Sequence, residues 1–119
     1  MPFMICKTNK TISDIQEQEL KSRLGKAIEV VAGLSEQVLM IGIEDNYHFY
    51  LRGSKSEPVA LIEISIFANP RHYGYDELTK EVTNIFNEVL NIDKNSIYIK
   101  YDDIVDWGVG GRNFDLYAR

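Results

Sequence analysis

An α+β fold is predicted, built from two βαβ units in tandem that form a four-stranded mixed sheet with two helices on one face. Three observations predict it. Apolar residues recur at helical spacing in two separate stretches, each stretch is flanked by short strand-like runs, and the two sets superimpose at a fixed offset. Right-handed βαβ crossovers put both helices on the same side of the sheet.

The first unit spans about residues 2–45. It opens with the apolar run Pro2-Phe-Met-Ile-Cys-Lys7, bounded by Thr8 and Asn9. Ser13 followed by Gln16 is a capping-box pair and marks a helix start. Leu20, Leu24, Ala27, Ile28 and Val31 then make one apolar helix face, and Gly33 is expected to stop the helix. Val38 to Ile43 is expected as a buried-type strand, running into Glu44, Asp45 and Asn46. The segment His48-Phe-Tyr-Leu51 is expected as a short strand before the turn Arg52 to Pro58.

The second unit, about 59–104, repeats the first. At an offset of 58, Leu20 maps to Leu78, Leu24 to Val82, Ala27 to Ile85, Ile28 to Phe86 and Val31 to Val89. Gly33 maps to Asn91, another residue that tolerates a left-handed cap. Pro2–Lys7 falls on Ala60–Ser65, inside the apolar run Val59–Ala68, and Leu39–Ile43 falls on Ile97–Tyr101, with Asp102-Asp103 at the strand end. The C-terminal segment 105–119 holds Trp107-Gly-Val-Gly-Gly-Arg-Asn-Phe114, expected as a turn before a short edge strand. With both helices on one face, the second face is left bare, and oligomerisation is the expected way to cover it. Segments 48–51 and around Phe114 are expected to pair across subunits.

Bulk properties narrow the function. The 119 residues suit one domain over 1–119, and a hydrophobic content of 45% is enough for a core. Eighteen acidic residues against thirteen Lys and Arg give a net charge of −5, with no basic run, so nucleic acid is not expected as a partner. No apolar stretch reaches the roughly 20 residues that span a bilayer, so no membrane partner is expected. No signal peptide is read at the N-terminus. Cys6 is the only cysteine, which leaves no internal disulfide and no thiolate metal site. A cytoplasmic location is expected, with secretion by a non-classical route as the alternative. His48 and His72 read as surface or turn residues, and no metal is expected. Asp102, Asp103 and Asp106 read as a solvated strand end, and Gly108–Gly111 precedes no helix and so fails as a phosphate loop.

Pro2 carries the most chemistry. Inside a chain, proline nitrogen is an inert amide. A small second residue favours removal of the initiator methionine, and the exposed nitrogen would then be a base with a pKa of roughly 7.7–8. Burial or a nearby cation would lower that value.

Met1-Pro2, Thr8-Asn9, Ser56-Glu-Pro58, Ile97-Tyr-Ile99 and the Trp107–Phe114 segment, taken in order, resemble the tautomerase superfamily, and within it the macrophage migration inhibitory factor (MIF)-like proteins. The resemblance covers nearly the whole chain. It implies a homotrimer with active sites between subunits, no cofactor, and keto–enol interconversion of a small aromatic α-keto acid of the phenylpyruvate type. It implies Pro2 as general acid–base and a backbone contact to the substrate carboxylate at Phe67. Tyr98 would reach in from the neighbouring subunit, and Trp107, Val109 and Phe114 would form an apolar lip. This chain departs from the family pattern at Leu34, where a lysine is usual, and at Lys100, where an asparagine is usual. Lys100, or Arg112 as a second candidate, is expected to replace the missing cation. The alternative is a non-enzymatic MIF-like cytokine mimic or binding protein with weakened or lost activity, with a protein receptor as partner if secreted. A ferredoxin-like binding domain would need only the βαβ repeat.

Overall fold

The computed structural model describes residues 1–118; Arg119, the last residue of the expected C-terminal segment, lies outside them. The chain runs β1 (Pro2–Thr8), α1 (Asp14–Ala27), β2 (Met40–Glu44), β3 (Ala60–Phe67), α2 (Tyr75–Leu90), β4 (Ile97–Ile104), and a closing hairpin of β5 (Asp106–Val109) and β6 (Arg112–Asp115).

The four long strands form one sheet in the order β2-β1-β3-β4. Its outer pairs are parallel and its central pair, β1 with β3, is antiparallel. The register shows that the repeat is structural. Phe3 faces Met40 and Ala60 faces Ile97, so the parallel pairing has the same sequence spacing in both units. Ile5 faces Glu63, its own equivalent in the second unit, so the pseudo-twofold axis passes between these two residues.

Alternation decides which side is packed. On β1 and β3, Met4, Cys6, Thr8, Ala60, Ile62, Ile64 and Ile66 are all at most 1% exposed, while Phe3, Ile5, Lys7, Leu61, Glu63 and Phe67 on the opposite face are half-buried. The buried set joins Leu20, Leu24 and Ile28 of the first unit and Leu78, Val82, Ile85 and Phe86 of the second in one core. Burial pushes the Cys6 thiol up to about 12, so it is an inert core residue.

Helix ends follow the sequence signals in part. Ser13 Oγ accepts from the Gln16 N–H at 3.1 Å and Gln16 Oε1 accepts from the Ser13 N–H at 3.0 Å, a complete capping box. Asn91 ends α2 at φ 55°, in the left-handed region. Gly33 does not stop α1 directly. The helix ends at Ala27, one 3-10 turn follows at Ile28–Val30, and Gly33 (φ 83°) then redirects the loop.

Three further expectations are corrected. Val38 sits in a 3-10 turn, Glu36–Val38, so β2 starts at Met40. The segment 48–51 forms no strand; only one bridge, Leu51 to Ser54, closes the turn at Arg52 (φ 51°) and Gly53 (φ 76°). Asp102 and Asp103 lie inside β4, which extends to Ile104 because the partner strand β3 extends to Phe67. The face away from the helices is also less uniformly apolar than its Ile and Tyr content suggests. Glu63 at its centre lies 3.5 Å from Lys7 and 3.7 Å from Lys100, and Lys100 also meets Asp102 at 3.2 Å.

Candidate active site

Pro2 is the first residue of a central strand, a position where proline's lack of an N–H is tolerated. It is buried and pairs with Ile66 near the end of β3. The Met1 carbonyl accepts the Phe67 N–H at 3.1 Å, which fixes the chain entering β1. Beside this point opens a cavity of about 660 Å³, within the size range of small-molecule sites. Its floor is Met1, Pro2 and Phe3. One wall is Val38, Leu39 and Met40, and the other is Trp107, Val109 and Phe114. Gln37 contributes the polar side chain of the lining, and among the described residues no Lys or Arg lines it.

The hairpin wall follows from its turn. Gly110 (φ 59°) and Gly111 (φ 81°) both adopt positive φ, as two-residue hairpin turns of type I′ require and as glycine does most readily. The turn sets Trp107 opposite Phe114 and Val109 opposite Arg112. Alternate residues of a strand share a face, so these four lie on one side of the hairpin. The Arg112 guanidinium lies 5.5 Å from the centre of the Phe114 ring. The Leu116 N–H to Val105 carbonyl bond, 2.8 Å, closes the base of the hairpin.

Burial holds the terminal amine of Met1 below its ordinary pKa, since removing the group from water disfavours its charged form.

The structure thus brings together Pro2, Trp107, Val109 and Phe114. Phe67 adjoins through its backbone and also borders a smaller cavity of about 230 Å³ with Leu34, Ile66, Ala68 and Tyr73. Tyr98 and Lys100 are elsewhere in the chain. Tyr98 pairs with Leu61, which pairs with Lys7, so Tyr98 is level with the far end of β1. Five residues of strand put it roughly 17 Å along the sheet from Pro2, and two strands over adds roughly 10 Å. The hydrogen bond from Lys100 to Asp102, aided by the carboxylate charges of Asp102 and Glu63, holds its ammonium above the ordinary lysine pKa.

Sequence reasoning missed two groups. The wall Val38–Met40 reads as a buried strand, yet Val38 is 50% exposed in the 3-10 turn and Met40 68% exposed as the first residue of the edge strand β2. His72 finds a carboxylate that sequence spacing did not show: its Nε2 lies 2.6 Å from Asp103 Oδ2, and its ring stacks on Tyr75, whose hydroxyl donates to Asp103 Oδ1 at 3.1 Å. Burial, then Asp103, raises the Tyr75 pKa. A His at positive φ (60°) between Pro70 and Gly74 was the only local hint.

Two matched βαβ units, with a proline heading the inner strand beside a cavity, have the architecture of the tautomerase superfamily. Within it, the chain belongs to the macrophage migration inhibitory factor (MIF) family, whose sequence model matches residues 1–114. Solved structures agree on the fold. MIF2 of Leishmania major superposes with a TM-score of 0.87 at 20% identity, covering 96% of this chain and 97% of that one. Pt0534 inactivated by 2-oxo-3-pentynoate gives 0.82 at 13% identity, with 96% and 95% covered. A fused 4-OT, solved as an asymmetric trimer, gives 0.79 at 18%, with 92% and 94% covered. No curated protein matches the sequence.

Proposed function

We propose that the chain is a cofactor-free keto–enol tautomerase of a small aromatic α-keto acid, phenylpyruvate in type, with Pro2 as general acid–base once Met1 is removed. The observation that carries this reading is the buried Pro2 on the floor of an apolar cavity. In the forward sense, the neutral nitrogen takes a proton from the carbon next to the keto group. The ammonium so formed then gives that proton to the enolate oxygen, and ketonisation runs the same steps in reverse. An apolar site suits this work, because desolvation keeps the amine neutral near pH 7 and an acid–base group works best with a pKa near the working pH. Trp107, Val109 and Phe114 supply a flat apolar wall for an aromatic ring.

Two likenesses support the details. Pt0534 is inactivated by 2-oxo-3-pentynoate, itself a small α-keto acid. The fused 4-OT is a trimer, and a trimer of this chain would cover the open sheet face and bring a neighbour's β4, with Tyr98, toward each Pro2. Phe67 would offer backbone contact to the carboxylate. Lys100 joins such a site only by leaving Asp102 and Glu63.

A second reading, a MIF-like binding protein without turnover, is favoured by one observation: among the described residues, no cation lines the Pro2 cavity.

The test is ketonisation of enol phenylpyruvate by mass-verified, Met-free protein beside Pro2→Gly. General acid–base catalysis contributes about 10²–10⁴-fold, so the variant is expected to lose activity on that scale. Equal rates for the two proteins would leave the binding reading.

A further inference from the structure

We propose that Arg112 is the cation that holds the substrate's carboxylate at the mouth of the Pro2 cavity; this deepens the tautomerase reading above and rests on it. The hairpin turn puts Arg112 on the same face as Trp107, Val109 and Phe114, all three of which line the cavity. Among the described residues it is the only cation of the hairpin strands. Its guanidinium lies 5.5 Å from the centre of the Phe114 ring, so a cation–π contact with a lining side chain holds it next to the cavity, just outside the lining itself. Among the described residues, ion pairs engage Lys7, Lys21, Arg23, Arg52, His72 and Lys100, and not Arg112.

Lys100 is a poorer candidate on three counts. It sits on the far edge of the sheet, its nearest groups are Asp102 and Glu63, and it would have to come from another subunit. A planar guanidinium also matches a carboxylate with two parallel hydrogen bonds, which an ammonium does not. The ligand class that fits is therefore a small aryl carboxylate, with its ring against the wall of Trp107 and Phe114 and its carboxylate on Arg112.

Trp107 is the only tryptophan of the chain and lines the cavity, so its fluorescence reads binding without turnover. The experiment titrates Met-free protein with 3-phenylpropionate and with its neutral amide. Wild type is expected to prefer the acid, and Arg112→Ala to weaken the acid by about tenfold while leaving the amide unchanged. Arg112→Lys should recover part of the loss, and Lys100→Ala should change neither ligand. No acid preference in wild type, equal weakening of both ligands by Arg112→Ala, or a loss that follows Lys100→Ala would each overturn the proposal. Because binding is read directly, acid selectivity without phenylpyruvate turnover would sink the enzymatic reading and leave the role of Arg112 standing. Turnover with acid affinity untouched by Arg112→Ala would do the reverse.

Discussion

The two ends of the central strand pair are related by the internal duplication, yet one is sealed and the other is open. At the Ala60 end, where β3 begins, Thr8 Oγ1 donates to the Val59 carbonyl at 2.7 Å. Asn9 clamps the same place from both sides: its Oδ1 accepts the Val59 N–H at 2.9 Å and its Nδ2 donates to the Glu57 carbonyl at 2.8 Å. At the Pro2 end, where β1 begins, the strand starts with a residue that has no N–H, and a cavity of about 660 Å³ lies beside it. The segments that follow the outer strands differ in the same way. After β2 the chain runs through a loop with a single bridge at Leu51, whereas after β4 it folds into a hairpin that stands over Pro2. Duplication explains the sheet, and the site lies where the two copies part company.

Breaking the sealed end should cost stability and spare the site. Asn9→Ala removes two hydrogen bonds and leaves the buried Val59 N–H unpaired, so a loss of about 1–3 kcal/mol is expected. Thermal denaturation would show a fall of several degrees in Tm, with binding at Trp107 unchanged for the protein that remains folded. Altered ligand affinity would mean that the two ends are coupled. At the open end the expectation is the opposite. Phe114→Ala should raise KM for an aromatic substrate by about tenfold, since one apolar wall is lost. Its Tm should move less than that of Asn9→Ala, because Phe114 belongs to the hairpin and not to the buried core. A larger fall in Tm would show that the hairpin supports the fold itself.

Legibility in the sequence divides along the same line. Periodicity and caps gave the two units, the helix faces and the matched strands, because a shared core imposes the same apolar spacing twice. Ser13 with Gln16 and Asn91 were readable as caps because each works through its immediate neighbours. The start of β2 was not, since a 3-10 turn at Glu36–Val38 keeps the apolar run going while changing its geometry. That turn leaves Val38 exposed, and Met40 is exposed at the start of the edge strand that follows. Segment 48–51 has strand-like composition but no neighbouring strand to pair with. Pro2, Trp107, Val109 and Phe114 were singled out in sequence and do converge. Tyr98 and Lys100 lie at the far edge, where no sequence pattern shows how subunits meet. The His72–Asp103 contact needed the fold, since His72 lies in the β3–α2 loop and Asp103 in β4, with the whole of α2 between them.

The central claim is that the Pro2 nitrogen is a buried base, and the pH dependence of kcat/KM for phenylpyruvate tests it most directly. A basic group with a lowered pKa is neutral, and so active as a base, above that pKa, and it is lost as pH falls through it. For Met-free protein, kcat/KM should therefore rise along an acidic limb below the ordinary α-amino value of roughly 7.7–8 and level off above it. Protein that retains Met1, in which the same nitrogen is an amide, should lack that activity. A limb at or above the ordinary α-amino value, or equal rates with and without Met1, would contradict the account.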